Sequence, residues 1–250
     1  MELKGKVALI TGGARIGQTV AEELARGGCS VALTYRASRT QALNTVRRVE
    51  SLGARGTAIR ADLTRSVLLK SIIEKVVRTF GRLDILVNMA SHYERIPLPE
   101  LEKTSTRHAA FEKNIAVDLR CAYELSLLAA PHMKKRGGGR IINFLDWVVA
   151  SGRPRYRGYI PYYTAKAGLK GLTEILALEL APTVLVNAIA PGPILAPAGL
   201  PRSDNKEVLA NTPLGRWGGA EEIAKAVLFF VQSDFVTGET LRVDGGRHLN

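Results

Sequence analysis

Val7-Ala8-Leu9-Ile10-Thr11 runs directly into Gly12-Gly13-Ala14-Arg15-Ile16-Gly17. A short apolar run of this kind has the length of a buried strand, and the glycines that follow break it. From Gly17 to Arg26 the apolar residues return at helical spacing, so the stretch reads as strand, tight turn and helix. Gly12 and Gly17 bracket the turn. Glycine permits positive φ and lets the backbone approach a pyrophosphate, which the helix N-terminus then holds. Its place on the first strand of an alternating chain makes the turn informative.

The same alternation continues outward. Short apolar runs at Val7–Ile10, Ser30–Tyr35, Gly56–Arg60, Ile85–Asn88, Arg140–Phe144, Leu185–Ile189 and Glu239–Val243 predict strands. Longer amphipathic patterns at Gly17–Arg26, Thr40–Leu52, Ser66–Phe80, Thr106–Lys134, Tyr162–Leu180 and Glu221–Val231 predict the intervening helices. Strands apolar on nearly every residue are buried on both faces, which implies a parallel sheet. The expected fold is therefore α/β, a single doubly wound Rossmann-type domain over residues 1–250. Its seven-stranded parallel sheet carries helices on both faces. Ligands then bind beyond the carboxyl ends of the strands, where the strand order reverses. Pro191–Pro213 is the longest irregular segment and the expected substrate loop, over about residues 192–213. The segment Gly152–Gly158, with Arg153, Arg155 and Arg157, is a second loop candidate.

With 46% hydrophobic and 23% charged residues the 250-residue chain has the composition of a globular protein. The net charge of +12 is high. Arg and Lys are scattered from end to end, whereas a nucleic-acid binder would cluster them, so no nucleic-acid partner is expected. Cys29 and Cys121 make neither a CxxC nor a metal spacing, and His92, His108, His132 and His248 form no metal set. No metal is expected. The first strand begins near Lys6, and no run of eighteen apolar residues occurs. The expectation is a reduced, cytoplasmic protein without a membrane partner.

The end of the second strand points to a cofactor. An NAD site places an acid there to take the ribose 2′-hydroxyl. Here the residues are Tyr35-Arg36-Ala37-Ser38-Arg39. A guanidinium and a hydroxyl suit a 2′-phosphate, so Arg36 and Ser38 predict NADP(H). Tyr162 and Lys166 stand four residues apart, which on a helix puts both side chains on one face. A tyrosine delivering a proton beside a hydride donor needs help, because its ordinary pKa is about 10. Lowering it by roughly 3 units takes about 4 kcal/mol of preferential phenolate stabilisation. Lys166 is the expected source of much of it. Asp146, at the end of the fifth strand, is expected to point into the same cleft, towards the phenol or the substrate.

These residues resemble the short-chain dehydrogenase/reductase family over nearly the whole chain. The matching elements occur in family order: the turn at Thr11–Arg15, Ala61-Asp62-Leu63, Asn88-Met89-Ala90-Ser91, Tyr162 with Lys166, Pro191-Gly192, and Val243-Asp244-Gly245-Gly246. The resemblance implies that Gly12, Arg15, Ile16 and Gly17 hold the cofactor phosphates and that Asp62 and Leu63 sit at the adenine. It places Asn88, Ala90 and Ser91 along the cofactor ribose. Lys166 would bind the nicotinamide ribose as well, with Pro191, Gly192 and Ile194 at the carboxamide. The presence of Asp146 where most members carry serine is similar to the pteridine reductase branch, in which an aromatic residue after the Asn-x-Ala-Ser motif stacks on the pterin. Tyr93 holds that place, with Ser91, Asp146 and Trp147 as the other implied substrate contacts. By the same resemblance the chain forms a homotetramer, or a dimer, through the Thr106–Lys134 and Tyr162–Leu180 helices and the last strand.

The chain departs from the family pattern at four places. The glycine turn is one residue short and keeps only Arg15 of two basic residues. Met89 replaces the second asparagine of the Asn-Asn-Ala motif. The family's catalytic asparagine, counted back from Pro131-His132-Met133, falls on Asp118, with Asn114 one turn away. Asp146 precedes Tyr162 by sixteen residues, a longer interval than usual. The expected function is an NADPH-dependent reductase acting on a carbonyl or ring imine of a small molecule, a pteridine or another flat heterocycle. The alternatives are a 3-oxoacyl or small-carbonyl reductase of the same family, and a dinucleotide-binding sensor or scaffold with impaired chemistry.

Overall fold

A computed structural model describes all residues 1–250. The elements follow one another as β1 (Val7–Thr11), α1 (Ile16–Arg26), β2 (Ser30–Tyr35), α2 (Arg39–Ser51), β3 (Gly56–Arg60), α3 (Ser66–Phe80) and β4 (Ile85–Asn88). Then come α4 (Leu98–Leu101), α5 (Thr104–Asn114), a π-helical stretch (Ile115–Arg120), α6 (Cys121–Lys134) and β5 (Gly139–Phe144). The chain closes with α7 (Trp147–Ala150), α8 (Ile160–Leu180), β6 (Val184–Pro191), α9 (Arg202–Ala210), α10 (Ala220–Gln232) and β7 (Thr240–Val243). The seven strands form one parallel sheet in the order β3-β2-β1-β4-β5-β6-β7.

Burial on both sheet faces follows from the two-residue alternation of strand side chains. Along β1, Ala8 and Ile10 enter one core with Val20 and Leu24 of α1 and Val227 and Phe230 of α10. Val7 and Leu9 enter the other, with Ile72 and Val76 of α3, Leu125 and Ala129 of α6, and Leu176 and Leu180 of α8. Each large apolar side chain so buried stabilises the fold by roughly 1.5–3 kcal/mol. Helix α1 shows why the helical period is legible: Gly17, Val20, Ala21, Leu24 and Ala25 are its buried residues, all on one stripe.

The order reverses between β1 and β4. The register aligns Thr11 with Thr34 on one side and with Asn88 on the other, and Asn88 with Asn143. Residues just past these positions share one edge of the sheet, and the crevice opens there.

Two expectations about the elements need correction, and one short helix was not foreseen. The helix predicted at Thr106–Lys134 starts at Thr104 and is interrupted by the π-helical stretch. Residues 192–213 are not irregular throughout, since Arg202–Ala210 is helical. That helix buries no residue, so it leaves no apolar period to read. The single turn Trp147–Ala150 is too short to show one.

Candidate active site

A cleft of about 790 Å³ lies along the carboxyl edge of the sheet. Its floor at one end is the glycine turn. Gly12 has φ +89°, and its N–H donates to Thr34 Oγ1 at 3.2 Å. A Cβ at Gly17 would stand 2.1 Å from the Gly12 carbonyl oxygen, so the close approach excludes every side chain there. Gly17 therefore shapes the turn without lining the cleft, which Gly12, Gly13, Ala14, Arg15 and Ile16 do. No side chain caps α1, and its N-terminal end faces the cleft. Arg15 adopts φ 54°, ψ −115°, the conformation of the first central residue of a type II′ turn, which favours glycine. The Arg15 guanidinium reaches across to the carbonyl of Ala196 at 3.4 Å.

Beyond the turn, Tyr35, Arg36 and Ser38 line the cleft, as do Asp62 and Leu63. Hydrogen bonds from the Thr64 hydroxyl and N–H hold the Asp62 carboxyl below its ordinary pKa, and Arg36 and Arg65 add to this. The donor set fits a phosphorylated dinucleotide: a cradle only glycine can form, an uncapped helix end, and a guanidinium beside a hydroxyl where an acid would exclude phosphate.

The middle of the cleft holds Tyr162 and Lys166. Lys166 is only 2% exposed and donates to the Phe144 carbonyl at 2.6 Å. Its Nζ also lies 3.1 Å from Oδ1 of Asp118, which is 1% exposed. The cation expected to act on the phenol is thus paired with a carboxylate. Asp118 sits in the π-helical stretch and does not itself line the cleft. It accepts from the Ser91 hydroxyl and from the His92 N–H at 3.1 Å. Asn114, one turn earlier, donates to Asp118 Oδ2 at 3.1 Å and to the His92 carbonyl at 2.6 Å. A carboxylate has no N–H to offer that carbonyl, and Asn114 supplies it. The two candidates separated by four residues act as one unit.

Tyr162 donates to Asp146 Oδ2 at 3.1 Å, and its ring lies 5.7 Å from Lys166 Nζ. The chain's own groups, cofactor aside, raise the phenol, opposite to the lowering expected from Lys166. Burial, then the negative charges of Asp146 and Asp118, push the phenol well above its ordinary 10. Asp146 caps α7 by accepting from the Val148 N–H at 2.8 Å through its other oxygen, so the cap fixes the carboxylate towards the phenol. Burial raises the Asp146 carboxyl, opposed by those two hydrogen bonds and by Lys166.

The substrate end is aromatic. Tyr93 stacks on Tyr159 at 4.6 Å between ring centres and meets Tyr162 edge-on at 4.9 Å. Tyr156 meets Trp147 at 5.9 Å and Tyr159 at 5.7 Å. Of the residues nominated from the sequence, Ser91, Tyr93, Ala90, Trp147, Pro191, Gly192 and Ile194 line the cleft. Asn88 stands behind the wall. Its amide donates to Asn143 at 2.9 Å and to Ser126 at 3.4 Å, while its buried Oδ1 has no partner. Sequence reasoning did not nominate Lys113, Val117, Tyr156 or Arg247, which also line the cleft. Tyr156 lies in a loop without periodicity, and Arg247 directly follows the Gly245-Gly246 motif, the one signal that marked it.

Comparison with known proteins identifies the family. The family described as enoyl-(acyl carrier protein) reductase matches residues 13–248. The 3-oxoacyl-[acyl-carrier-protein] reductase FabG of Escherichia coli is 36% identical over 256 residues, covering 100% of both chains. A short-chain dehydrogenase/reductase from Serratia marcescens superposes with a TM-score of 0.89 at 33% identity, over 99% of this chain and 100% of that one. The FolM alternative dihydrofolate reductase 1 from Brucella canis, complexed with NADP, gives 0.88 at 27% identity over 100% and 97%. On fold, motif order and similarity over its whole length, this chain belongs to the short-chain dehydrogenase/reductase family of oxidoreductases.

Proposed function

We propose that the protein is an NADPH-dependent reductase that delivers hydride to a carbonyl or ring imine of a flat, partly polar small molecule, of which a pteridine is the model case. The observation that carries the reading is the Tyr162–Asp146 hydrogen bond inside an aromatic wall. Aromatic faces stack on a flat ring, and a carboxylate among them takes the N–H edge of a heterocycle. NADPH supplies the hydride. Gly12, Arg15 and Ile16 hold its phosphates on the turn that Gly17 shapes, Arg36 and Ser38 its 2′-phosphate, Asp62 and Leu63 its adenine. Ala90, Ser91 and Lys166 hold its ribose, with Asn88 bracing the wall behind them. Pro191, Gly192 and Ile194 hold the carboxamide.

Tyr162 stays protonated to high pH and gives its proton to the atom that gains charge. Asp146 orients that hydroxyl, and on substrate binding it turns to the ring. Lys166 holds the ribose while its charge is offset by Asp118, so the phenol is a donor and not a base. At neutral pH the phenol is therefore already in the protonated state that reduction uses. Ser91 is fixed by Asp118, and Tyr93 presents the face opposite Tyr159 to the substrate.

A second reading is a 3-oxoacyl or small-carbonyl reductase, favoured by the similarity to FabG. Steady-state assays with NADPH separate the two. Dihydrobiopterin is expected to be turned over with the higher kcat/KM. A strong preference for acetoacetyl thioester would select the second reading. NADPH binding without turnover of either, together with a Tyr162→Phe variant of full cellular function, would mean a sensor.

A further inference from the structure

The charged side chains that line the cleft are nearly all engaged. Lys166 pairs with Asp118, Lys113 shares Glu94 with His92, Arg15 is bonded to the Ala196 carbonyl, and Arg36 lies within the field of Asp62. Arg247 stands apart by its place: Arg15 and Arg36, which also make no ion pair, belong to the cofactor end, and Arg247 is the unpaired cation of the substrate end. Its Cζ lies 5.5 Å from the centre of the Trp147 ring, and Trp147 is itself buried. One nitrogen, Nη1, donates to the Val208 carbonyl at 2.8 Å and to the Thr212 hydroxyl at 3.2 Å. Nη2 and Nε have no protein partner.

A guanidinium is thus held over an indole at cation–π distance, anchored through one nitrogen, with its remaining donors free. That is the preorganised form in which arginine takes a carboxylate or phosphate bidentately. Asp244, three residues before it in sequence, makes no ion pair with it and is engaged elsewhere. Its oxygens accept from the Gly246 and His248 backbone and from the His248 ring. Burial raises the phenols of Tyr93 and Tyr156, and the positive charge of Arg247 opposes that rise at both. Its field therefore reaches the aromatic wall. A second guanidinium, that of Arg155, bonds the His248 carbonyl at 3.2 Å and adds positive charge at the lip.

We propose that Arg247 is an anion-binding residue of the substrate site, and that the physiological substrate carries a carboxylate or phosphate on a tail attached to its reducible part. From Trp147 the rings of Tyr156, Tyr159 and Tyr162 follow at successive centre-to-centre distances of 5.9, 5.7 and 6.3 Å. One continuous aromatic wall thus joins the Trp147 side of the cleft, where Arg247 lies, to the proton donor. This inference rests on the reductase reading of the cleft but not on which ring or thioester is reduced.

The test uses two matched pairs with NADPH. Dihydrofolate and dihydrobiopterin differ in carrying or lacking carboxylates. Acetoacetyl-coenzyme A and acetoacetyl-N-acetylcysteamine differ in carrying or lacking phosphates. In the wild type, kcat/KM favours the anionic member of one pair. In Arg247→Met that preference falls by roughly 10- to 100-fold, the range of one charge-assisted pair, through KM more than kcat. Arg247→Lys restores part of it. The pair whose ratio collapses identifies the oxyanion. A ratio unmoved in both pairs overturns the proposal, as does an equal loss on both members, which would mean that Arg247 only packs on Trp147. If no compound is turned over, the reductase reading fails separately. Calorimetric titration of dihydrofolate and of coenzyme A into the NADPH-loaded protein then decides: weaker binding to Arg247→Met upholds the anion site, and equal binding ends it.

Discussion

At the scale of single residues the site turns on Asp118. Its carboxylate and the Lys166 ammonium are buried together 3.1 Å apart. Removing one partner of such a pair costs about 3–5 kcal/mol because the other charge is left alone. Asp118→Asn keeps the shape and the acceptor for His92 but frees the charge of Lys166. The phenol of Tyr162, raised by burial and by two carboxylates, then loses one of the raising charges. Reduction needs the protonated phenol, so its activity falls as pH rises through that pKa. The basic limb of kcat/KM is expected to move to lower pH in Asp118→Asn. Oxidation of the product alcohol or amine needs the phenolate and should speed up at neutral pH. Asp118→Glu should keep the wild-type limb. A limb that stays put would separate Asp118 from the tyrosine. The difference in phenolate ultraviolet absorbance between wild type and Tyr162→Phe reads the same pKa without turnover. For Tyr162→Phe itself, kcat should drop by about 10²- to 10⁴-fold, the usual contribution of a positioned acid, with NADPH affinity nearly kept. At the other end, Arg36→Ala should weaken NADPH more than NADH by roughly 10- to 100-fold in KM, the value of one charge-assisted hydrogen bond. Equal losses for both cofactors would move the 2′-phosphate elsewhere.

At the scale of elements the strained part is the turn between β1 and α1. Arg15 holds φ 54°, ψ −115°, and a non-glycine residue in such a region costs on the order of 1–3 kcal/mol. Arg15→Gly should therefore raise the denaturant midpoint by about 1 kcal/mol in stability while raising KM for NADPH, because the guanidinium is lost with the strain. Gly17→Ala should do the opposite to the fold. Its Cβ would stand 2.1 Å from a backbone oxygen, so α1 must shift at a cost of about 1–3 kcal/mol, and NADPH affinity should fall with it. If Gly17→Ala melts as the wild type, the turn is looser than its geometry implies. The π-helical stretch is the second special element. It places Asp118 and Asn114 on one surface against the His92 backbone. A regular helix would have shown the same apolar pattern in the sequence, so no periodicity announced the bulge, and π bulges recur at functional sites.

At the scale of the whole molecule, the two cysteines are buried and their thiols raised to about 12, chiefly by that burial. Native protein should resist thiol alkylation at neutral pH and become reactive only on unfolding. No helix is long and apolar enough to cross a membrane. Tyr123 and Leu127 lie one turn apart on α6 and are half exposed, as is Phe111 on α5, and Leu178 on α8 is more exposed still. By family resemblance a homotetramer that uses the α5–α6 and α8 helices and the last strand is our expectation, and these residues would lie on its helical faces. Sedimentation should give four times 27.1 kDa, and Leu127→Arg should lower it. Much of this molecule is legible in one dimension. Buried strands, amphipathic helices and a glycine turn are local patterns, since burial of a face writes its period into the chain. By themselves they determined the seven-stranded parallel sheet, the cofactor crevice and the proximity of Tyr162 to Lys166. What pairs with that lysine, which way Asp146 faces, where Arg247 lies and how Arg15 is strained depend on residues distant in sequence. Only the tertiary structure decided them, because charge and hydrogen-bond partners are chosen by proximity in space and leave no period behind.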